Sequence, residues 1–209
     1  MSSEVDARSE LTPLPRNAGV DAAVSAARRV ISALLHAGNN TAAEMDRVAT
    51  QLNDVADYLD SHAPTVAERM VDMWAGEGVT RHNPVTGPEN ALAPPLHIDG
   101  LRDGSVGGAT TLGLPYQGPP GLVHGGVSAM LLDHTLGLAN HWAGDSGMTA
   151  TLVMHYPRPT PLFEPLTVAA RQIGVDGRKI RTVGTISAQG QECVRAEGLF
   201  ITARTTRGR

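Results

Sequence analysis

Cysteine occurs once, at position 193, so no internal disulfide can form and the chain suits a reducing compartment. No apolar run approaches the ~18 residues that a membrane-spanning helix needs. The opening MSSEVDARSELTPLPR is polar and acidic, unlike a signal peptide. A cytoplasmic protein without a membrane span is the expectation. Basic residues are not in excess either: the formal net charge is −4, and residues 1–75 hold 11 acids against 6 arginines. That argues against nucleic acid as a partner, since a phosphate backbone is gripped by a basic footprint. Several catalytic signatures are missing too. There is no GxSxG elbow, no P-loop and no dinucleotide fingerprint, and Cys193 has no histidine near it in sequence. His124, His134, His141 and His155 show no i, i+4 pairing beside a carboxylate, so neither a metal nor a bound cofactor is expected.

What is present is enough apolar residue, 41% of 209, to bury a proper core in one or two domains. The N-terminal third reads as helical. Val24, Ala27, Ile31 and Leu34 recur at helical spacing between Val20 and Leu35, and His36-Ala37-Gly38 supplies a stop. Thr41-Ala42-Ala43-Glu44 has the form of a capping box. Behind it Met45, Val48, Leu52, Val55 and Leu59 make a narrow 3-4-3-4 seam fit to pack on another helix. A shorter helix is predicted from Pro64 to about Trp74. His82–Pro95, with four prolines and little periodicity, reads as a linker or draped loop.

Beyond it the pattern turns to strands. Ser105–Leu114 is Gly/Thr-rich and fits an edge or first strand. Met148–Tyr156 alternates, with Met148, Ala150, Leu152, Met154 and Tyr156 on one face and Thr149, Thr151, Val153 and His155 on the other. Pro157, Pro159 and Pro161 end it. Leu166–Val175 and Lys179–Ala188 flank Asp176-Gly177, a two-residue hairpin signal, and Gln189-Gly190 turns the chain into Glu192–Arg204.

Between the first strand and the rest lies Gly118–His141, GPPGLVHGGVSAMLLDHTLGLANH, the most informative stretch of the chain. His124-Gly125-Gly126 opens a nearly all-apolar helix. Two glycines there let another molecule approach the backbone, and the first amides of a helix, unpaired at the positive end of its dipole, suit a developing oxyanion. Asp133 stands in this apolar helix, where a carboxylate is costly unless paired or used. Ala129 and Gly137, four residues to either side, leave room beside it. Eight residues separate Gly125 from Asp133, roughly 12 Å of helix, too far for one reacting carbonyl to touch both. If both serve one site, two copies of the helix must lie side by side. The spacing therefore predicts a homo-oligomer, a dimer or a tetramer.

The segment resembles the hotdog-fold acyl-CoA thioesterases of the PaaI-like type, in the 4-hydroxybenzoyl-CoA thioesterase superfamily. In these, HGG is followed by an Asp nine residues after the His, here Asp133. YQGPPGLVHGG and GMTATLVMHYPRPTPL resemble the branch that includes the thioesterase superfamily members of animal mitochondria. The likeness runs on through Gly177-Arg178-Lys179 to EGLFI at Glu197–Ile201, spanning roughly Leu92 to Arg204. It implies an α+β hotdog fold, a curved antiparallel sheet wrapped around a central helix. On that basis residues 1–80 are a helical extension, 81–95 a Pro-rich linker and 96–209 the hotdog domain.

The resemblance further implies hydrolysis of an acyl-CoA, with coenzyme A present only as part of the substrate. His124 and Gly125 would act at the helix start, Gly126 assisting. Asp133 would serve as general base or as nucleophile, and Thr149 would be the hydroxyl on the following strand, with Thr151 a second choice. Nine bases against four acids from Arg158 onward suit an anionic ligand, and Arg158, Arg178 and Lys179 are the candidates for the nucleotide phosphates. Met130, Met148 and Met154 could form an adaptable lining for acyl chains. Two features depart from neighbouring patterns. Many relatives carry an Asn or Gln several residues before HGG, where this chain has Gly118 with Gln117 beside it. Hotdog hydratases need a His five residues after the Asp, where this chain has Leu138. A non-catalytic acyl-CoA binder is the competing reading; it would have no need of Asp133.

Overall fold

A computed structural model describes residues 9–16, 18–38, 44–73 and 81–202. In chain order the elements are strand β1 (Ser9–Glu10), helices α1 (Gly19–Ala37), α2 (Met45–Asp60) and α3 (Val66–Met73), and strands β2 (His97–Gly100) and β3 (Val106–Thr111). A short 3-10 turn (Leu114–Tyr116) leads to helix α4 (Gly125–Trp142), then to β4 (Met148–His155), β5 (Pro165–Asp176), β6 (Lys179–Ala188) and β7 (Gln191–Ile201). The strands form one sheet in the order β1-β2-β3-β5-β6-β7-β4, every neighbouring pair antiparallel. This is the hotdog arrangement, with α4 held against the sheet.

The apolar residues of α4 explain that arrangement. Leu131, Leu132, Leu136 and Ala139 are fully buried, against Leu166, Val168 and Ala170 of β5, Ile180 and Ile186 of β6 and Val194, Ala196 and Phe200 of β7. Strict alternation on β5 and β6 directs one face of each inward. Two strand glycines let the helix settle close. A Cβ at Gly184 would lie 3.3 Å from Leu132 Cδ2, and one at Gly198 would lie 3.2 Å from Leu136 Cδ1. The β5–β6 hairpin turns at Asp176-Gly177 as the dipeptide predicts, with Gly177 at φ 58°. Gln189 and Gly190, both at positive φ, make the next turn.

The N-terminal region differs from its sequence reading in two ways. It begins with a strand: β1 pairs with β2, and Thr12 Oγ1 accepts from the Ile98 amide at 2.9 Å and bonds His97 Nδ1 at 2.7 Å. Two residues give no periodicity to read, so neither β1 nor the four-residue β2 was foreseen. Second, the seam of α2 packs extensively on no other described element, and Leu52, Val55 and Leu59 are exposed. Its expected capping box falls on residues 41–43, outside the described residues. α1 does end at Gly38, at φ 50°. Residues 82–95 are turns that bury Val85, Thr86 and Ala93 beneath the surface.

One ionic cluster fastens α1 to that segment. Asp21, in the first turn of α1, receives Arg81 Nη2 at 2.7 Å on both carboxylate oxygens, while Arg81 Nε donates to Glu89. Arg28 Nη2 also reaches the Asn90 carbonyl at 2.6 Å. Burial opposes ionisation of Asp21, but hydrogen bonds from Arg81 and the Arg16 amide outweigh it and hold the carboxyl below its ordinary value. A depressed folded-state pKa gives stability that is complete above the unfolded value, about 3.9, and is lost as pH falls through the folded one. The Asp21 contribution, read as the Tm difference between wild type and Asp21→Asn, is expected to be constant from neutral pH to about 5 and to shrink in the acid limb below about 4. Asp21→Asn should lower the neutral Tm and flatten part of that acid limb in scanning calorimetry.

Candidate active site

The start of α4 is built by its own loop. His124 is the N-cap, extended at φ −63° and ψ 133°, and its Nδ1 accepts the Gly126 amide at 3.0 Å. With Nδ1 accepting, the neutral ring carries its hydrogen on Nε2. The amides of Val127 and Ser128 both go to the His124 carbonyl. The Gly125 amide is left, with no acceptor among the described residues, at the positive end of the helix dipole. Gly126, read from sequence as an assisting donor, is instead engaged in the cap. Gly118 seats this loop: a Cβ there would fall 2.8 Å from His124 Cα. Gln117, beside it, accepts from the Gly121 amide through Oε1 at 3.3 Å.

A residue not singled out from sequence joins the group. Tyr156, just beyond β4, donates its hydroxyl to the Gly125 carbonyl at 3.0 Å, and its ring lies 3.6 Å from where a Gly125 Cβ would stand. The strand pattern assigned Tyr156 a face but could not say which helix carbonyl it meets.

The second group forms around the carboxylate. Asp133 is half-buried, and Thr149 Oγ1 donates to its Oδ1 at 2.9 Å. The register of β4 against β7 shifts between Thr149 and Thr151, a β-bulge. Alternation placed both threonines on one face; the bulge parts them. Thr149 meets the helix, while Thr151 joins Val153, Ile173, Arg181 and Leu199 around a hollow on the outer face of the sheet. Beside Asp133 the helix is bare, as a Cβ on Gly137 would meet nothing within 4 Å.

These groups do not meet within one chain. Gly125, His124 and Tyr156 stand at the end of β4, and Asp133 and Thr149 stand near its start. Along α4, Gly125 and Asp133 are eight residues apart, roughly 12 Å at ~1.5 Å per residue. The basic candidates divide the same way. Arg158 lies at the Tyr156 end, its Nη1 donating to the Glu192 carbonyl at 3.1 Å. Arg178 and Lys179 lie at the Met148 end, with Lys179 and Met148 both opposite Ile201. Arg178 Nη2 donates to the Thr202 carbonyl at 2.8 Å. Open clefts of 550 and 660 Å³ lie over the outer sheet face and beside Tyr156, and neither is lined by Asp133 or Gly125. Among the described residues no three His, Cys, Asp or Glu side chains are grouped to hold a metal, and no helix is long and apolar enough to cross a membrane.

His134, next to Asp133, is turned the other way, with Nε2 3.0 Å from Thr86 Oγ1. Burial pushes its pKa below the ordinary histidine value, partly opposed by the charge of Asp133. Removing that charge should lower it further. In an NMR titration His134 is expected to protonate below about 6.5, and at still lower pH in Asp133→Asn. An upward move in the variant would contradict this placement.

Comparison with known proteins fits this geometry. Residues 11–68 match the family described as hypothetical protein RHA1_ro05818, N-terminal helical domain. The acyl-coenzyme A thioesterase THEM4 of Rattus norvegicus is 36% identical over 91 residues, 43% of this chain and 39% of that protein. THEM4 of Xenopus laevis is 33% identical over 90 residues, again only 40% of its length. The match thus spans about two fifths of these curated relatives. The crystal structure of RHA08564, a thioesterase superfamily protein, is 59% identical and superposes with a TM-score of 0.84. That likeness covers 95% of this chain and 98% of the other. A relationship that runs through both the helical N-terminal region and the sheet-wrapped helix leaves one placement: the chain belongs to the thioesterase superfamily.

Proposed function

We propose that the protein is an acyl-CoA thioesterase that hydrolyses the thioester to a free acid and coenzyme A, and that it works as a homo-oligomer. The observation that carries this reading is Asp133, held by Thr149 through one oxygen only and facing a bare stretch of helix. Oδ2 is left for the reacting water or carbonyl. The Gly125 amide would bind the thioester oxygen and stabilise the negative charge that develops on it. Asp133 would take a proton from water as it attacks, or attack the carbonyl itself to form a mixed anhydride. In either case the sulfur departs as the thiolate of coenzyme A, and on the second route water then opens the anhydride, releasing the acid and restoring the Asp133 carboxylate.

The oligomer follows from an exposed edge. Among the described residues β4 pairs on one side only, with β7, and Met148 and Val153 are 79% and 44% exposed. An eight-residue open edge is a template for another strand. Antiparallel pairing of β4 with its copy about a two-fold axis would set the Gly125–Tyr156 end of one chain beside the Thr149–Asp133 end of the other. The same pairing would bring Arg158 of one chain toward Arg178 and Lys179 of its copy, gathering basic side chains for the phosphates of coenzyme A. THEM4, named as an acyl-coenzyme A thioesterase, supports the substrate class. The hotdog domain at 96–209, with 1–80 as an extension and 81–95 as its linker, is part of this proposal.

Wild type should cleave some member of a panel of acyl-CoAs running from short to long and aromatic chains. Asp133→Asn should lose roughly 100-fold or more in kcat/KM while still binding coenzyme A in calorimetry. Binding without hydrolysis by wild type would make the protein a binder instead. Light scattering should give at least twice the 21.9 kDa chain mass. Mixing Gly125→Val with Asp133→Asn, each inactive alone, should restore activity through hybrid dimers carrying one intact site; a mixture as inactive as its parts would refute the composite site.

A further inference from the structure

We propose that Tyr156 is a positioning residue for the oxyanion amide, an inference that rests on the thioesterase reading but can be tested apart from it. The problem it solves comes from Gly125-Gly126. Glycines give a ligand access to the backbone, yet they also leave the flanking peptide planes free to pivot, since no Cβ restricts them. A pre-aimed donor needs the opposite, a fixed direction before the charge develops.

The structure holds one peptide unit at both ends. Tyr156 donates to the carbonyl of Gly125 at 3.0 Å, and the amide of the same peptide, that of Gly126, donates to His124 Nδ1 at 3.0 Å. The preceding plane, which carries the unpaired Gly125 amide, is held through the His124 carbonyl by the Val127 and Ser128 amides, so the Tyr156 bond secures the second of the two planes that meet at the Gly125 Cα. The ring reinforces the hydroxyl by lying 3.6 Å from the Gly125 Cβ position, and Tyr156 is 51% exposed, so its outer side faces the open site. Steric need does not explain Gly125 itself, because a methyl would make only ordinary contact there. Tyr156 thus braces Gly125 twice, through its carbonyl and along its Cβ side.

Tyr156→Phe keeps the ring and removes the hydroxyl. Expected is a fall in kcat of about tenfold, the size of one lost hydrogen bond, with KM, coenzyme A affinity and Tm nearly unchanged. In ¹⁵N relaxation measurements on the full chain, the Gly125 and Gly126 amides should drop below the rigid level of about 0.85 while the rest of α4 keeps it. Tyr58→Phe, on the exposed face of α2, should alter neither readout. Wild-type kcat in Tyr156→Phe, or amides as ordered as in wild type, would overturn the proposal. A fall in kcat accompanied by a raised KM and a lower Tm would overturn it too, assigning Tyr156 a merely structural role. Should wild type cleave no thioester, the functional reading fails and the relaxation data alone decide the role of Tyr156.

Discussion

A helix that is apolar around most of its circumference must be covered around most of its circumference, and the rest of this fold follows from covering α4. A flat sheet would meet only a stripe of it. Here β5, β6 and β7 present alternating inward residues along their length, and Gly184 and Gly198 remove the side chains that would hold Leu132 and Leu136 away. Gly100 does the same at the far end, where a Cβ would strike the Trp142 ring at 2.6 Å. Among the buried polar side chains of the helix, Thr135 donates to the Leu131 carbonyl and Asn140 Oδ1 accepts from Thr182 of β6, while Asn140 Nδ2 is buried with no partner among the described residues. What the sheet leaves uncovered is the strip holding Ala129, Asp133 and Gly137. The site occupies the part of the helix that its own chain cannot bury.

That strip lies along β4, the last strand of the sheet, so the same boundary that leaves Asp133 accessible leaves a strand edge unpaired. A second copy would resolve both. If the proposed oligomer forms, the separation of Gly125 from Asp133 within the chain would reflect one site built from two helix segments, each carried on a rigid element. Splitting the site between copies lets the donor amide and the carboxylate be positioned independently.

Much of this was legible in the residues. The Asp176-Gly177 and Gln189-Gly190 turns, the α4 boundaries and the stop at Gly38 are local signals, set by backbone chemistry within a few residues. The Asp133–Thr149 pair was legible only as two candidates, because the bulge that brings Thr149 inward and sends Thr151 outward depends on β7 opposite. β1 was invisible for a similar reason. Two residues gain strand geometry from β2, 87 or more positions away along the chain, and from the Thr12 hydroxyl that bonds it. The Tyr156 contact needed the fold as well, since 31 residues separate it from Gly125.

The missing amide before the HGG motif follows from the same packing. Position 118 touches the backbone of His124 so closely that any side chain there would displace the N-cap, and with it the amides at the helix start. Gln117, the nearest amide, is turned back into its own loop. On the proposed thioesterase reading, Asp133 would hold the water at the other end of the site. Thr149 matters there because its hydrogen bond to Oδ1 fixes the carboxylate and leaves Oδ2 as the single oxygen that can receive the proton. The bulge in β4 is what puts that hydroxyl within reach of the carboxylate.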